Sequence, residues 1–431
     1  MNDPKGVKRS KMSLTSLARA AQRWAPTGKT IVIQAIIIET TKPTHQPPGS
    51  LPCCSPPPTN PYTQTEGVNW EWVEDRASQT GHWELLARDA DAKIKARGDY
   101  WARTFQNVPP RSRKAERNLL GTARQWPFDQ TRPPTSENYA NSASKARDAH
   151  PGLDTLPPAA WAHGGRHATR TLYDSGQWLA SGRKMALGFN QVLNVFPPKG
   201  DPEIDKVEIV REGADTRPLG LKDSGNKAVA NTCARSFSSA LCRGACPLQN
   251  GFTPGRQFLQ HLVDLDTTAR AFGVSRASAR IPVLASWDYA AACPSVAHSW
   301  IRVVLPVLAF PGGFQNVICG MYTLVHALGI GSSGLVFLFW ILSGVLQGCP
   351  LSGLVFVAAI DPILWRIHDT VDARGIGTTR ACADGIGAAM RGIAGLLLYR
   401  HTFALGKAAA GLALKPAKCA LTPTAEAWSH V

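Results

Sequence analysis

The decapeptide GVLQGCPLSG (residues 344–353) runs without a break into LVFVAAIDPIL (residues 354–364). Gly and Pro punctuate the first part as a loop, while the second is apolar apart from Asp361. The interval around them, residues 282–425, holds five acidic residues, Asp288, Asp361, Asp369, Asp372 and Asp384, and no Glu. Any carboxylate chemistry there must draw on these five. Residues 281–287 form a mostly apolar run without helix caps that ends at Asp288, the pattern of a buried strand delivering an acid at its C-terminal end. Residues 378–390 read as two short arms about Asp384-Gly385, and Asp-Gly is a strong hairpin pair because Gly accepts a positive φ. If the two strands lie side by side, their carboxylates converge. Two hard oxygen donors with room for water and phosphate oxygens suit Mg²⁺.

Four segments, in a fixed order, carry a family resemblance. GVLQGCPLSG and the run after it resemble the reverse-transcriptase motif in which a Gln-Gly loop precedes a helix beneath the nascent base pair. DYAAACPSV (residues 288–296) resembles the first catalytic motif, ACADGIG (381–387) the catalytic hairpin, and AGLALKPAKC (410–419) the lysine-bearing motif that follows. Upstream, HPGLDTLPPAAW (150–161) is similar to the leading motif of non-LTR retrotransposon enzymes. VFPPKG (195–200), TRPLGLKDSGNKAVA (216–230) and NGFTPGRQ (250–257) resemble successive fingers segments, and YWARTF (100–105) the linker before them. The resemblance covers residues 147–425 and favours the non-LTR type over group II intron or retroviral enzymes.

The resemblance implies an α+β fold with polymerase fingers and palm, a β-α-β-β-α-β palm sheet with helices on one face, and a missing thumb. It divides the chain into a basic, Pro-rich leader (1–66), a helical linker region (67–146), leading motif and fingers (147–280) and palm (281–431). Asp288 and Asp384, with the backbone carbonyl of Tyr289, would hold two Mg²⁺ or Mn²⁺ ions, and Lys418 would protonate the leaving pyrophosphate. Lys199 and Arg217 would grip the triphosphate, Gln347 and Gly348 would line the nucleotide pocket, and Cys293 would face the sugar. Implied partners are an RNA template, a DNA primer and deoxynucleoside triphosphates. Two residues depart from the family: Gly385 stands where a second Asp is usual, and Cys293 where Phe or Tyr blocks a ribose 2′-hydroxyl. Activity is therefore expected to be strongly reduced or absent. The alternative is an inactive relic acting at most as a basic nucleic-acid-binding fold.

Charge agrees with a polyanionic partner, since 47 Lys and Arg against 31 Asp and Glu give the 431-residue chain a formal charge of +16. Nucleic acid and an anionic membrane surface both fit that charge. The apolar run 335–342, continuing weakly to Leu346, is shorter than the roughly 20 residues needed to span a bilayer, so it reads as buried core. No secretory signal opens the chain, which points to an intracellular protein, nuclear or cytoplasmic. With no upstream endonuclease domain and no room for a thumb after Ala425, the chain is expected to be a fragment of a larger polyprotein. The basic segment 1–29 suits a solvated basic arm or a transit-like leader, residues 31–38 an isolated strand, and the proline cluster at 43–61 a linker. Helices are expected over residues 67–125 and a polar, Pro-rich separator over 126–148, with the main domain starting near Arg147. His163 and His167 are interrupted by Gly164-Gly165, and Cys242, Cys246 and His261 have poor zinc spacing, so neither group reads as a metal site. The ten cysteines, including Cys53-Cys54, indicate no disulfide framework.

Overall fold

The computed structural model describes residues 70–74, 83–87, 89–145, 151–200, 212–274 and 281–424. The basic arm, the strand candidate at 31–38, the proline cluster, Cys53-Cys54 and His150 lie outside the described residues.

β1 (Trp70–Glu74) and β2 (Trp83–Ala87) pair antiparallel, with Trp70 opposite Ala87. The helical expectation for residues 67–125 therefore fails here. Trp and Val favour extended pairing, and five-residue pieces are too short to nucleate helix. Helix begins with α1 (Ala90–Phe105), where Asp89 caps the N-terminus by accepting from the Ala92 amide at 2.6 Å. Its buried face carries Trp101, whose indole donates to Thr216 Oγ1 at 3.0 Å, and Phe105, stacked on Phe339.

Residues 126–145 do not separate two units, contrary to the sequence expectation. Trp126 is buried and its indole donates to Asp361 Oδ2 at 3.2 Å. The Ser136–Ser144 helix carries a capping box between Thr135 and Asn138 and buries Tyr139. A polar composition hid two aromatic anchors.

The fold is mixed α+β, with two four-stranded sheets. The first has the order β4-β3-β6-β7, from β3 (Gln191–Val195), β4 (Leu219–Lys222), β6 (His326–Gly331) and β7 (Gly334–Trp340). It draws strands from both sides of residue 281. The apolar run 335–342 is only partly core: β7 lies at a sheet edge, and Phe339 and Ile341 are buried while Leu335 and Leu342 are exposed.

The second sheet has the order β10-β5-β9-β8 and is antiparallel throughout, from β5 (Val283–Asp288), β8 (Gly377–Cys382), β9 (Gly385–Met390) and β10 (Ala420–Pro423). Helices between β5 and β8 and between β9 and β10 give β-α-β-β-α-β connectivity, with β6 and β7 as an excursion into the other sheet. Helices cover both faces rather than one. On one face Trp287 of β5 stacks on Tyr399 of α4 (Leu396–Ala410) at 4.4 Å. On the other lies α2 (Phe258–Val274), whose Leu265 occupies the space a Cβ at Gly387 would need and whose Asp264 pairs with Arg380 at 3.0 Å. Between α2 and α4 in sequence, α3 (Ser352–Ile367) is buried nearly all round and receives the Trp300 indole at the Ala359 carbonyl, 2.8 Å.

Asp361 and Lys222 are buried ionisable groups whose surroundings tie stability to pH. Asp361 accepts from the Cys246 amide at 2.7 Å and from Trp126, yet burial pushes its carboxyl up to about 7. A carboxyl raised on folding stabilises fully below its unfolded value, and that contribution is lost as pH climbs from about 4 through about 7. Asp361→Asn should flatten this slope, worth up to roughly 4 kcal/mol, as measured by urea unfolding at pH 5 and pH 8. Lys222 is fully buried, donating to the Met321 carbonyl at 3.1 Å and to Asn190 Oδ1 at 3.4 Å, and burial lowers its ammonium below the usual lysine range. The native state then binds fewer protons than the unfolded chain, so stability rises as pH approaches that range. Lys222→Met should remove this slope while leaving the Met321 carbonyl without its donor, so stability at high pH should fall by about 1–3 kcal/mol, which thermal unfolding would detect.

Candidate active site

β5 delivers Asp288 at its C-terminal end, and β9 runs beside it with Gly385 directly opposite Asp288. β8 and β9 close a hairpin in which Cys382 faces Gly385, so the two loop residues are Ala383 and Asp384. The turn is thus one residue earlier than the sequence suggested. Ala383, at φ +54°, takes the left-handed conformation, and Gly385 does not. The Asp-Gly pair misled because a left-handed alanine, costing about 1–2 kcal/mol, is not anticipated from local sequence. Gly385 is not required by the turn, and a Cβ built on it meets the Cys382 carbonyl at an ordinary 3.6 Å.

The fold brings five of the sequence-derived residues together, Asp288, Tyr289, Cys293, Asp384 and Lys418. Lys418 Nζ lies 2.8 Å from Asp288 Oδ2, and its ammonium is raised first by that hydrogen bond, with the charges of Asp288 and Asp384 adding to it. Burial, and then the charge of Asp288, raises the Asp384 carboxyl above its ordinary range. Cys293 feels the same carboxylate: burial and then Asp384 push its thiol up to about 12. Tyr289 follows Asp288, its ring buried edge-on against Phe403 and its backbone bridged to Leu414.

A positive cluster adjoins the acids. Lys199 donates to the Ala214 carbonyl at 2.7 Å and lies over the Trp101 ring. Its ammonium is lowered first by burial and then by the charge of Lys415, with smaller effects from Lys418 and Arg217. Arg217 is exposed at the start of the β4 arm, its amide bound to the Pro197 carbonyl at 2.9 Å. Lys415 was missed by the sequence reading although it lies three residues before Lys418 in the quoted motif. Its amide donates to the Asp288 carbonyl at 2.8 Å, which ties this lysine pair to the strand end.

The loop around Gln347 and Gly348 joins β4 to the segment after β5. The Gly220 amide donates to the Gln347 carbonyl at 2.8 Å, and the Val345 amide to the Cys293 carbonyl at 2.7 Å. Gly348, at φ +107°, has the Gly220 carbonyl 2.6 Å from where a Cβ would lie. Only glycine lets the loop approach this closely.

The two groups set aside in the sequence are dispersed in the fold, and His261 faces the Ala381 backbone. His163 ends one helix and His167 lies in the next, and Cys242 donates to the Pro254 carbonyl at 3.2 Å. Among the described residues no group of three or more His, Cys, Asp or Glu is arranged to hold a metal. The acids therefore offer two carboxylates. As hard oxygen donors they fit one hard divalent cation, and Gly385 supplies no third.

Over 183 residues, 40% of this chain, the sequence is 30% identical to the "Transposon TX1 uncharacterized 149 kDa protein" of Xenopus laevis. The chain resembles a transposon protein. It spans 12% of that relative's length. No family model matches the chain. Among solved structures, apo telomerase of Candida tropicalis, truncated from the C-terminal domain, superposes with a TM-score of 0.43 at 11% identity, covering 62% of this chain and 56% of the other.

Gly385→Asp should be tolerated, because the turn conformation does not need glycine and the added side chain meets only ordinary contacts. Its midpoint of thermal unfolding should stay within about 2 °C of the parent, an effect below about 0.5 kcal/mol.

Proposed function

We propose that the chain is the fingers-and-palm core of a reverse transcriptase of the non-LTR retrotransposon type, an RNA-directed DNA polymerase impaired at its own catalytic turn. The observation that carries this reading is the juxtaposition of Asp288 at a strand end with Asp384 in the neighbouring hairpin turn, under Lys418. Similarity to a transposon protein supports it. In this reading the β10-β5-β9-β8 sheet is the palm, and the segments around β3 and β4 are fingers.

Asp288 and Asp384, with the Tyr289 carbonyl, would hold Mg²⁺ or Mn²⁺. Such ions, when bound, acidify a primer 3′-hydroxyl and offset phosphate charge. Lys199, Arg217 and Lys415 form the cationic wall for the triphosphate of an incoming deoxynucleotide, where a forked guanidinium and ammonium point charges suit phosphate oxygens. Lys418 would give its proton to the leaving pyrophosphate. Gln347 and Gly348 bound the nucleotide pocket, and Cys293 presents a small side chain toward the sugar, so ribonucleotides are poorly excluded. An RNA template paired to a DNA primer would be drawn in by the net positive charge.

Gly385 removes a carboxylate, and each 1.36 kcal/mol of lost transition-state stabilisation is a tenfold loss of rate. Primer extension on an RNA template with Mg²⁺ or Mn²⁺ tests the reading. The parent chain should extend slowly or not at all, Gly385→Asp should extend at least about tenfold faster, and Asp288→Asn should abolish the gain. If Gly385→Asp is inert but the parent binds nucleic acid with a steep salt dependence, the second reading, an inactive basic nucleic-acid-binding fold, replaces the first.

A further inference from the structure

Ala383, the residue before Asp384, holds a left-handed conformation that costs an alanine about 1–2 kcal/mol, and hydrogen bonds from outside the hairpin offset that cost. The partner is Gln249. Its side chain is fully buried, with Oε1 accepting from the Ala383 amide at 2.8 Å and from the Gly251 amide at 2.7 Å, while Nε2 donates to the Ala383 carbonyl at 3.1 Å. A primary amide is the side-chain group that both donates and accepts at this reach, and here it grips both polar groups of one peptide residue.

The surrounding backbone repeats the grip. The Ala381 amide donates to the Leu248 carbonyl at 2.7 Å and the Asn250 amide to the Ala381 carbonyl at 2.8 Å, a parallel bridge along β8. Gly251 passes so close that a Cβ on it would lie 2.1 Å from the Ala383 nitrogen. Arg256 locks this segment from behind, donating to the carbonyls of Cys246 and Gln249 at 2.7 Å, of Ala245 at 2.9 Å and of Cys242 at 3.1 Å.

We infer that Gln249 is a positioning residue that holds the Ala383-Asp384 turn in its left-handed form and so aims the Asp384 carboxylate at Asp288. The inference rests on the proposed two-carboxylate site for its consequence in chemistry, but its structural half stands apart from it. Gln249→Met keeps the length and loses every bond. Gln249→Glu keeps both accepted bonds when ionised and loses the donated one.

The test uses the full chain and two readouts. Hydrogen exchange of a peptide spanning residues 379–386 should accelerate at the turn at least tenfold in Gln249→Met and less in Gln249→Glu, with α3 exchange unchanged as the control for folding. Mn²⁺ titration followed by electron paramagnetic resonance should show affinity weakened about tenfold in Gln249→Met and partly retained in Gln249→Glu. Unchanged exchange at the turn in a folded Gln249→Met overturns the clamp, whatever the metal data. Faster exchange with unchanged Mn²⁺ affinity overturns the aiming of Asp384. If the parent chain binds no Mn²⁺, the proposed metal site fails, and exchange alone decides whether Gln249 holds the turn.

Discussion

The register of β5 against β9 is the constraint on which the rest of the site depends. Asp288 faces Gly385 because Val283 faces Met390 and every pair between keeps step. Side chains alternate along a strand, so a slip of one residue would carry Asp288 to the face covered by α4. Trp287, stacked on Tyr399 and tilted against Phe403, anchors that covered face, and the large aromatic area it buries holds the register. The acid at the strand end stays partly open on one face because its neighbour packs against the aromatic rings on the other.

A second constraint acts from the other sheet. The loop around Gln347 and Gly348 is hydrogen-bonded to β4 on one side and, through Val345, to Cys293 on the other. Gly344 and Gly348 both stand where a Cβ would strike a backbone carbonyl, of Pro294 in one case and of Gly220 in the other. The decapeptide thus works as a seam: its glycines exist for close approach, and through it the strand before Lys222 and the segment after Asp288 share one framework. Lys199, Arg217, Lys415 and Lys418 gather along the same seam, beside the acids.

Much of this was legible in the sequence because it is local. An uncapped apolar run ending in Asp gave β5, and two short arms about a tight turn gave the β8–β9 hairpin. What was missed is long-range. The one-residue shift of the turn depends on Gln249, more than a hundred residues away, and on the space that Gly251 leaves for Ala383. Trp126 and Tyr139 looked like separators within a polar, Pro-rich stretch, yet their partners, Asp361 and the core around Cys233, lie far along the chain. Leu335 and Leu342 looked buried because their run is apolar, but Leu335 lies on an edge strand and Leu342 beyond its end, and both are open. Lys415 joins the cationic group only through the pairing of its backbone with Asp288, a contact that local sequence does not reveal.

The central claim is that β5–β9 pairing places two carboxylates where one divalent cation can bind both. Anomalous diffraction from crystals of the full chain soaked in Mn²⁺ tests it directly. A peak should appear at oxygen-ligand distance from both Asp288 and Asp384 and be lost in Asp384→Asn. Mn²⁺ bound elsewhere, or none at all while the two side chains keep their places, would contradict it.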